Sequence, residues 1–125
     1  MPNVQVLIFR HSPPPLLFFT AAAFTNITSL ILDNNDLVAE SGFPALPALD
    51  TLSLNNNAIE DIEELLGLIN ANYPALRFLS LLKNPCCPSP IFQSEKDEGD
   101  YRRYRYYVIY KLDAPLRFLD SSEIR

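Results

Sequence analysis

At 125 residues, the chain has room for one domain and one modest hydrophobic core. Its 48% apolar and 20% charged residues fit a folded globule, and a net charge of −5 argues against general affinity for nucleic acid or acidic membranes. One histidine, three glycines and two adjacent cysteines (Cys86, Cys87) leave too few ligands for a structural zinc site, no phosphate-cradling glycine loop and no loop-closing disulfide.

Residues 1–25 do not read as a repeat. Their longest apolar run, Leu16–Phe24, is too short to span a bilayer. Small residues follow it, as after a secretory signal, but Pro13-Pro14-Pro15 and the apolar stretch ahead of Arg10 and His11 fit that pattern poorly. The segment reads as a divergent N-terminal piece, either a partial cap folded over the next coil or an unordered stretch. His11 has no positioned partner in it and makes a poor general base.

From residue 26 the chain becomes periodic. The windows "ITSLILDNNDL" from Ile27, "LDTLSLNNNAI" from Leu49 and "LRFLSLLKNPC" from Leu76 align without gaps on L-x-x-L-x-L-x-x-N-x-L. Within L-x-L the side chains alternate, so the leucines enter a core while the residues between them face outward. Asn35, Asn57 and Asn84 all fall at the ninth position. An asparagine carries both a donor and an acceptor on a short arm, so a stack of three can pair the buried main chain of successive turns. Their expected role is structural.

The segment between the second and third windows is longer and contains "IEDIEELLGLINANYPAL", with Ile59, Ile62, Leu65, Leu66 and Ile69 at helical spacing. Glu60, Asp61, Glu63 and Glu64 occupy its start, where the helix dipole favours negative charge, and Asn72-Tyr73-Pro74 ends it. Cys87 reads as a packing or loop cysteine.

After residue 92 the pattern changes. An acidic linker, "SEKDEGDY", leads into "DYRRYRYYVIYKL", where Tyr101, Tyr104, Val108 and Leu112 form one apolar stripe if helical. Arg102, Arg103, Arg105 and Lys111 lie mainly off that stripe. "LRFLD" at 116–120 starts like a repeat through Leu116 and Leu119 and then abandons it, as the last strand of a solenoid must. The expected organisation is therefore residues 1–25, repeats over 26–92 and a C-terminal cap over 93–125. The fold class is α/β: a right-handed solenoid of about three repeats with a short parallel sheet on its concave face.

Tyr104, Arg105, Tyr107 to Lys111, Leu116, Leu119 and Asp120 resemble the cap of intracellular leucine-rich repeat proteins, including the A-prime subunit of a spliceosomal small nuclear ribonucleoprotein. "LRFLSLLKNPCCP", the acidic linker and "RYRYYVIYKL…LRFLD" together resemble the leucine-rich melanocyte differentiation-associated protein family, over about Ile27 to Ile124. That resemblance implies a small non-enzymatic adaptor of the cytosol, tied to pigment-cell differentiation and melanosome formation.

No nucleophile, base and orienting group come together in the sequence, and no metal, nucleotide or other cofactor is expected. What remains is a surface for another protein: the outward concave positions Ser29, Ile31, Asp33, Thr51, Ser53, Asn55, Phe78, Ser80 and Leu82. Ile31, Phe78 and Leu82 are apolar where water would be the neighbour, as interface anchors are; the competing reading is strand propensity or packing beneath a terminus. Direct nucleic-acid binding is not expected, because a single short basic stretch follows an acidic run. The cysteine usage suits a reducing, cytoplasmic setting. The alternative function is a nuclear ribonucleoprotein-associated scaffold of the A-prime type.

Overall fold

Leucines at every second position build the strands of the structure, a computed structural model that describes residues 6–8, 26–39 and 42–124. Six strands form one sheet in chain order: β1 (Val6–Ile8), β2 (Ser29–Ile31), β3 (Thr51–Ser53), β4 (Phe78–Ser80), β5 (Phe118–Leu119) and β6 (Ser122–Glu123). Neighbours from β1 to β5 are parallel, and the register aligns Leu7, Leu30, Leu52, Leu79 and Leu119. Successive coils thus superpose the same repeat position. Leu30, Leu52, Leu79 and Leu119 are all buried, as are the window-opening Ile27, Leu49 and Leu76. Each such side chain removed from water contributes about 1.5–3 kcal/mol, so the repeated leucines form the core of a leucine-rich repeat solenoid.

β1 is an addition to the periodic reading. It lies in the segment expected to be a partial cap or unordered, yet it pairs with β2 in the same register as every later coil. The remainder of residues 1–25, including His11 and the Leu16–Phe24 run, lies outside the described residues.

The return paths differ with length. Helix α1 (Ile62–Asn72) crosses behind β3 and β4, capped by Asp61, whose carboxylate accepts from Glu64 N at 3.0 Å. Leu65, Leu66 and Ile69 are its buried face. The chain leaves the helix at Tyr73 because Pro74 disfavours a helical conformation in the residue before it. Asn72 ties this end to the shorter preceding coil: its Nδ2 donates to Phe43 O at 3.1 Å and its carbonyl accepts from Leu46 N at 3.1 Å.

Helix α2 (Glu95–Lys111) is longer than the cap helix expected from Asp100 onward. The acidic stretch Ser94–Tyr101, which reads as a linker in the sequence, is its N-cap and first two turns. Ser94 accepts from Asp97 N at 3.2 Å, and Glu95, Asp97 and Glu98 sit at the positive end of the dipole. Pairs Lys96–Asp100 (3.4 Å), Arg102–Glu98 (2.9 Å) and Arg103–Asp100 (2.5 Å) hold the outer face. Asn70 of α1 then bridges to the end of α2, donating to Lys111 O and accepting from Asp113 N, both at 2.9 Å.

The stack ends in a hairpin. Asp120 and Ser121 have φ of 52° and 70° and join β5 to the antiparallel β6. Positive φ at both central residues is the two-residue turn that matches strand twist.

Candidate functional site

Where the buried leucines face the core, their sequence neighbours face the open side of the sheet. The register sorts these outward residues into two rows. Val6, Ser29, Thr51, Phe78 and Phe118 form one; Ile8, Ile31, Ser53 and Ser80 form the other. Val6 and Ile8 are exposed, which makes the β1 end of the face apolar together with the half-buried Ile31. At the other end, Phe78 and Phe118 stack with ring centroids 5.0 Å apart and planes 10° from parallel. They line a groove of about 200 Å³ with Thr51, Ser53, Ser80 and Ser121. Stacked rings bordered by small hydroxyls present apolar area with little steric obstruction.

Several residues expected on this face are engaged elsewhere. Asp33 Oδ1 accepts from Ser53 Oγ at 2.7 Å and from Asn55 N at 2.9 Å. One coil on, Asn55 Oδ1 accepts from Ser80 Oγ at 2.7 Å and from Leu82 N at 2.9 Å. Asp33 and Asn55 therefore turn sideways to the next coil rather than out toward a partner, and the Ser53 and Ser80 protons are already donated. Thr51 Oγ1 likewise donates to Asp50 Oδ1 at 2.7 Å. Leu82 is half-buried against the core. The outward residues whose side chains make none of these hydrogen bonds are Val6, Ile8, Ser29, Ile31, Phe78 and Phe118, and the hydroxyl oxygens of Thr51, Ser53 and Ser80 can still accept. The signal for the sideways ladder was the acid or amide at the seventh position of both windows, Asp33 and Asn55. β1 was announced by Val4-x-x-Leu7-x-Phe9, a degenerate L-x-x-L-x-L.

The asparagines of the ninth position form a deeper ladder. Asn57 Oδ1 accepts from Asn35 N at 2.9 Å and Leu37 N at 3.0 Å, while its Nδ2 donates to Leu54 O at 2.9 Å and Leu32 O at 3.0 Å. Asn84 repeats the pattern with Ile59 N, Leu54 O and Leu81 O at 2.8–3.2 Å. Asn35 Nδ2 donates to Leu32 O at 2.9 Å. Each amide pairs main chain of its own coil and, for Asn57 and Asn84, of the coil before.

At the cap, Tyr104, Val108, Leu112 and Leu119 are buried, and Tyr101 and Leu116 half-buried, around Asp120. Asp120 directly follows Leu119, the register partner of Leu79, and its carboxylate pairs main chain of the preceding coil. Its Oδ1 accepts from Leu81 N at 2.7 Å and its Oδ2 from Tyr101 OH at 3.0 Å, with Cys87 Sγ at 3.8 Å. It lies inside the fold and not on the open face of the sheet. Burial pushes the Cys87 thiol up to about 12 and the Cys86 thiol up to about 11, with Asp120 adding to both. Burial first and the Asp120 charge second also raise Tyr101 and Tyr104. These are groups held protonated. Among the described residues no three His, Cys, Asp or Glu side chains cluster to hold a metal ion.

The basic residues of α2 face intramolecular partners. Arg105 donates to Leu119 O at 2.8 Å and to Ser122 O and Glu123 O at 2.9 Å, which clamps the closing hairpin to the helix. Arg102 and Arg103 hold Glu98 and Asp100, and Lys111 lies over the rings of Tyr107 and Tyr110 at 5.7 and 5.9 Å. Among the described residues, no helix is long and apolar enough to cross a membrane.

A family model for leucine-rich repeats in two copies matches residues 25–67. The human leucine-rich melanocyte differentiation-associated protein is 48% identical over 103 residues, 82% of this chain and 52% of that protein. U2 small nuclear ribonucleoprotein A′ of Arabidopsis thaliana is 30% identical over 141 residues, 95% of this chain and 51% of that protein. Its human counterpart is 31% identical over 101 residues, 79% of this chain and 34% of that protein. The chain spans about half the length, or less, of the curated relatives it matches.

Proposed function

Because this chain is a leucine-rich repeat protein homologous to the leucine-rich melanocyte differentiation-associated protein, we propose that it is a non-enzymatic adaptor that binds another protein on the open face of its sheet. The observation that carries this reading is the Phe78–Phe118 stack, two rings turned to the outside of the sheet and bordered by Thr51, Ser53, Ser80 and Ser121. Aromatic anchors with a polar surround are what interface cores are made of. The setting, by homology, is melanocyte differentiation, melanosome biogenesis or membrane traffic in the cytoplasm. A nuclear ribonucleoprotein scaffold is the second reading, supported by the similarity to U2 small nuclear ribonucleoprotein A′. Against direct RNA contact stand the arginines of α2, already paired with carboxylates and main-chain carbonyls.

The test compares proteins recovered with the wild type and with a Thr51→Arg/Phe78→Asp variant, each with and without RNase. The variant is first shown to melt as a folded protein. Membrane-traffic proteins lost in the variant and indifferent to RNase support the adaptor. Spliceosomal proteins, or recovery that collapses with RNase, refute it in favour of the scaffold.

A further inference from the structure

Between the buried Cys87 and the Ser94 cap of α2, every residue from Ser89 to Ser94 is exposed. Among the described residues, no main-chain to main-chain hydrogen bond ties residues 88–93 to the rest of the fold. The segment is held by side chains instead: Ile91 N donates to Ser89 Oγ, and Gln93 N to Asp97 Oδ2, both at 3.1 Å. Ser89 lies between Pro88 and Pro90, and a following proline biases a residue toward extended backbone. Among the described residues it is the one serine or threonine followed by proline. The hydroxyls of Ser53, Ser80 and Thr51 are engaged in the sheet, and Ser94 caps a helix.

An enzyme that phosphorylates serine must draw the acceptor into its cleft on a short extended segment. Ser89 Oγ also donates to Ile91 O at 3.5 Å, so this segment can be drawn out at the loss of three local hydrogen bonds and the tilted Phe92–Tyr101 ring contact. A cleft that demands proline after the acceptor is one with no partner for the next N–H, and Pro90 has none to satisfy. We propose that Ser89 is a phosphoryl-acceptor site for a proline-directed protein kinase, with ATP as donor. Ser89 Oγ forms the new bond to the γ-phosphorus, and the bond from that phosphorus to the β,γ-bridging oxygen breaks. ADP leaves, and the hydroxyl proton passes to the catalytic carboxylate of the kinase.

The placement couples the modification to the cap. Ser89 shares a hollow of about 380 Å³ with Ile91, Gln93, Asp97 and Asp100. A phosphate adds about −1.5 to −2 charge there, beside two carboxylates, and its bulk displaces the Ser89–Ile91 turn. Repulsion then loosens the Gln93–Asp97 tether and the first turn of α2, the helix that closes the end of the stack. Phosphorylation of Ser89 weakens the cap.

The native chain is treated with a proline-directed kinase and MgATP, and sites are mapped by mass spectrometry. The expected result is phosphate on Ser89 of the folded protein, abolished in Ser89→Ala and in Pro90→Ala. It is retained in Ser12→Ala, which removes the Ser12-Pro13 pair. The phosphoprotein melts below the unmodified chain at low salt, the gap narrows at high salt, and amide exchange quickens at residues 95–98. No phosphate on Ser89, or incorporation only after denaturation, overturns the site. Stoichiometric phosphate with unchanged melting and exchange overturns the coupling to the cap.

Discussion

Asn57→Ala removes an amide that pairs main chain on two coils at once. The three carbonyls it serves keep other donors, since Asn35 Nδ2 still reaches Leu32 O, Asn84 Nδ2 still reaches Leu54 O and Asn34 N still reaches Asn55 O. The donors fare worse. Leu37 N has its acceptor in Asn57 Oδ1, and Asn35 N loses one of its own. Leu37 is 4% exposed and Asn57 9%, so water reaches the gap poorly. One buried donor left unpaired costs about 1–3 kcal/mol and a second lost hydrogen bond about 1 kcal/mol, giving roughly 2–4 kcal/mol in all. For a domain of this size that is a fall in Tm of roughly 8–16 °C, read by circular dichroism and by urea titration at unchanged slope. Asn57→Asp is the control that keeps the acceptor and loses the donors. Its buried carboxylate faces the carbonyl oxygens of Leu32, Leu54 and Asn55, so its folded-state pKa lies above the unfolded value. The variant is therefore least destabilised at acid pH and loses stability as pH rises through that folded pKa. A Tm within about 2 °C of wild type for Asn57→Ala, below the roughly 4 °C that one kcal/mol produces, would refute the ladder as a source of stability.

Tyr73 is 1% exposed and its hydroxyl has no hydrogen-bond partner among the described residues, so Tyr73→Phe should stabilise by about 1 kcal/mol; a loss of stability in urea titration would show a missed partner. Lys83 stands at the repeat position of Asn34 and Asn56, and all three have φ near 60°. Asparagine tolerates that conformation better than lysine, so Lys83→Asn should gain about 0.5–1 kcal/mol, measured as a raised Tm. Arg105→Met deletes three contacts to main-chain carbonyls in a half-exposed setting and should cost about 1–2 kcal/mol, with faster amide exchange at residues 119–123; unchanged exchange would mean the hairpin holds without its clamp. Cys86 and Cys87 are raised from 9.0 to about 11 and about 12, and Tyr101 and Tyr104 are raised as well. Folded values above unfolded ones give stability that is complete below pH 9 and lost as pH rises through the folded values. The urea midpoint should therefore be level from pH 7 to 8.5 and fall steadily between pH 9 and 12; a flat profile would mean these groups are not buried protonated.

The repeat was legible because a solenoid writes its core locally. Leu30, Leu52, Leu79 and the asparagines at the ninth position each answer a steric or hydrogen-bonding need that recurs with every coil, so their period is visible along the chain. The first strand was harder: Val4, Leu7 and Phe9 keep the spacing but change the residues, and Ser12 stands where the asparagine would be. The cap stripe was legible for the same reason as any amphipathic helix, through Tyr104, Val108 and Leu112. Its N-terminal boundary was not, since an acidic run reads as a linker until Ser94 is seen to cap it.

Contacts between distant residues left no such trace. Composition does not say that Asp33 turns toward Ser53 and Asn55 instead of toward a partner, that Arg105 holds three carbonyls of the hairpin, or that Asp120 is buried beneath Tyr101 and beside Cys87. Periodicity determined the leucine core, the asparagine ladder and the alternation that turns Ile31 and Phe78 outward. Only the packed structure decided which outward residues stay available, because a polar side chain chooses between water and a neighbouring coil by what the next coil offers. The stacking of Phe78 on Phe118 belongs to that second kind: the two lie forty residues apart in sequence and meet because β5 pairs beside β4.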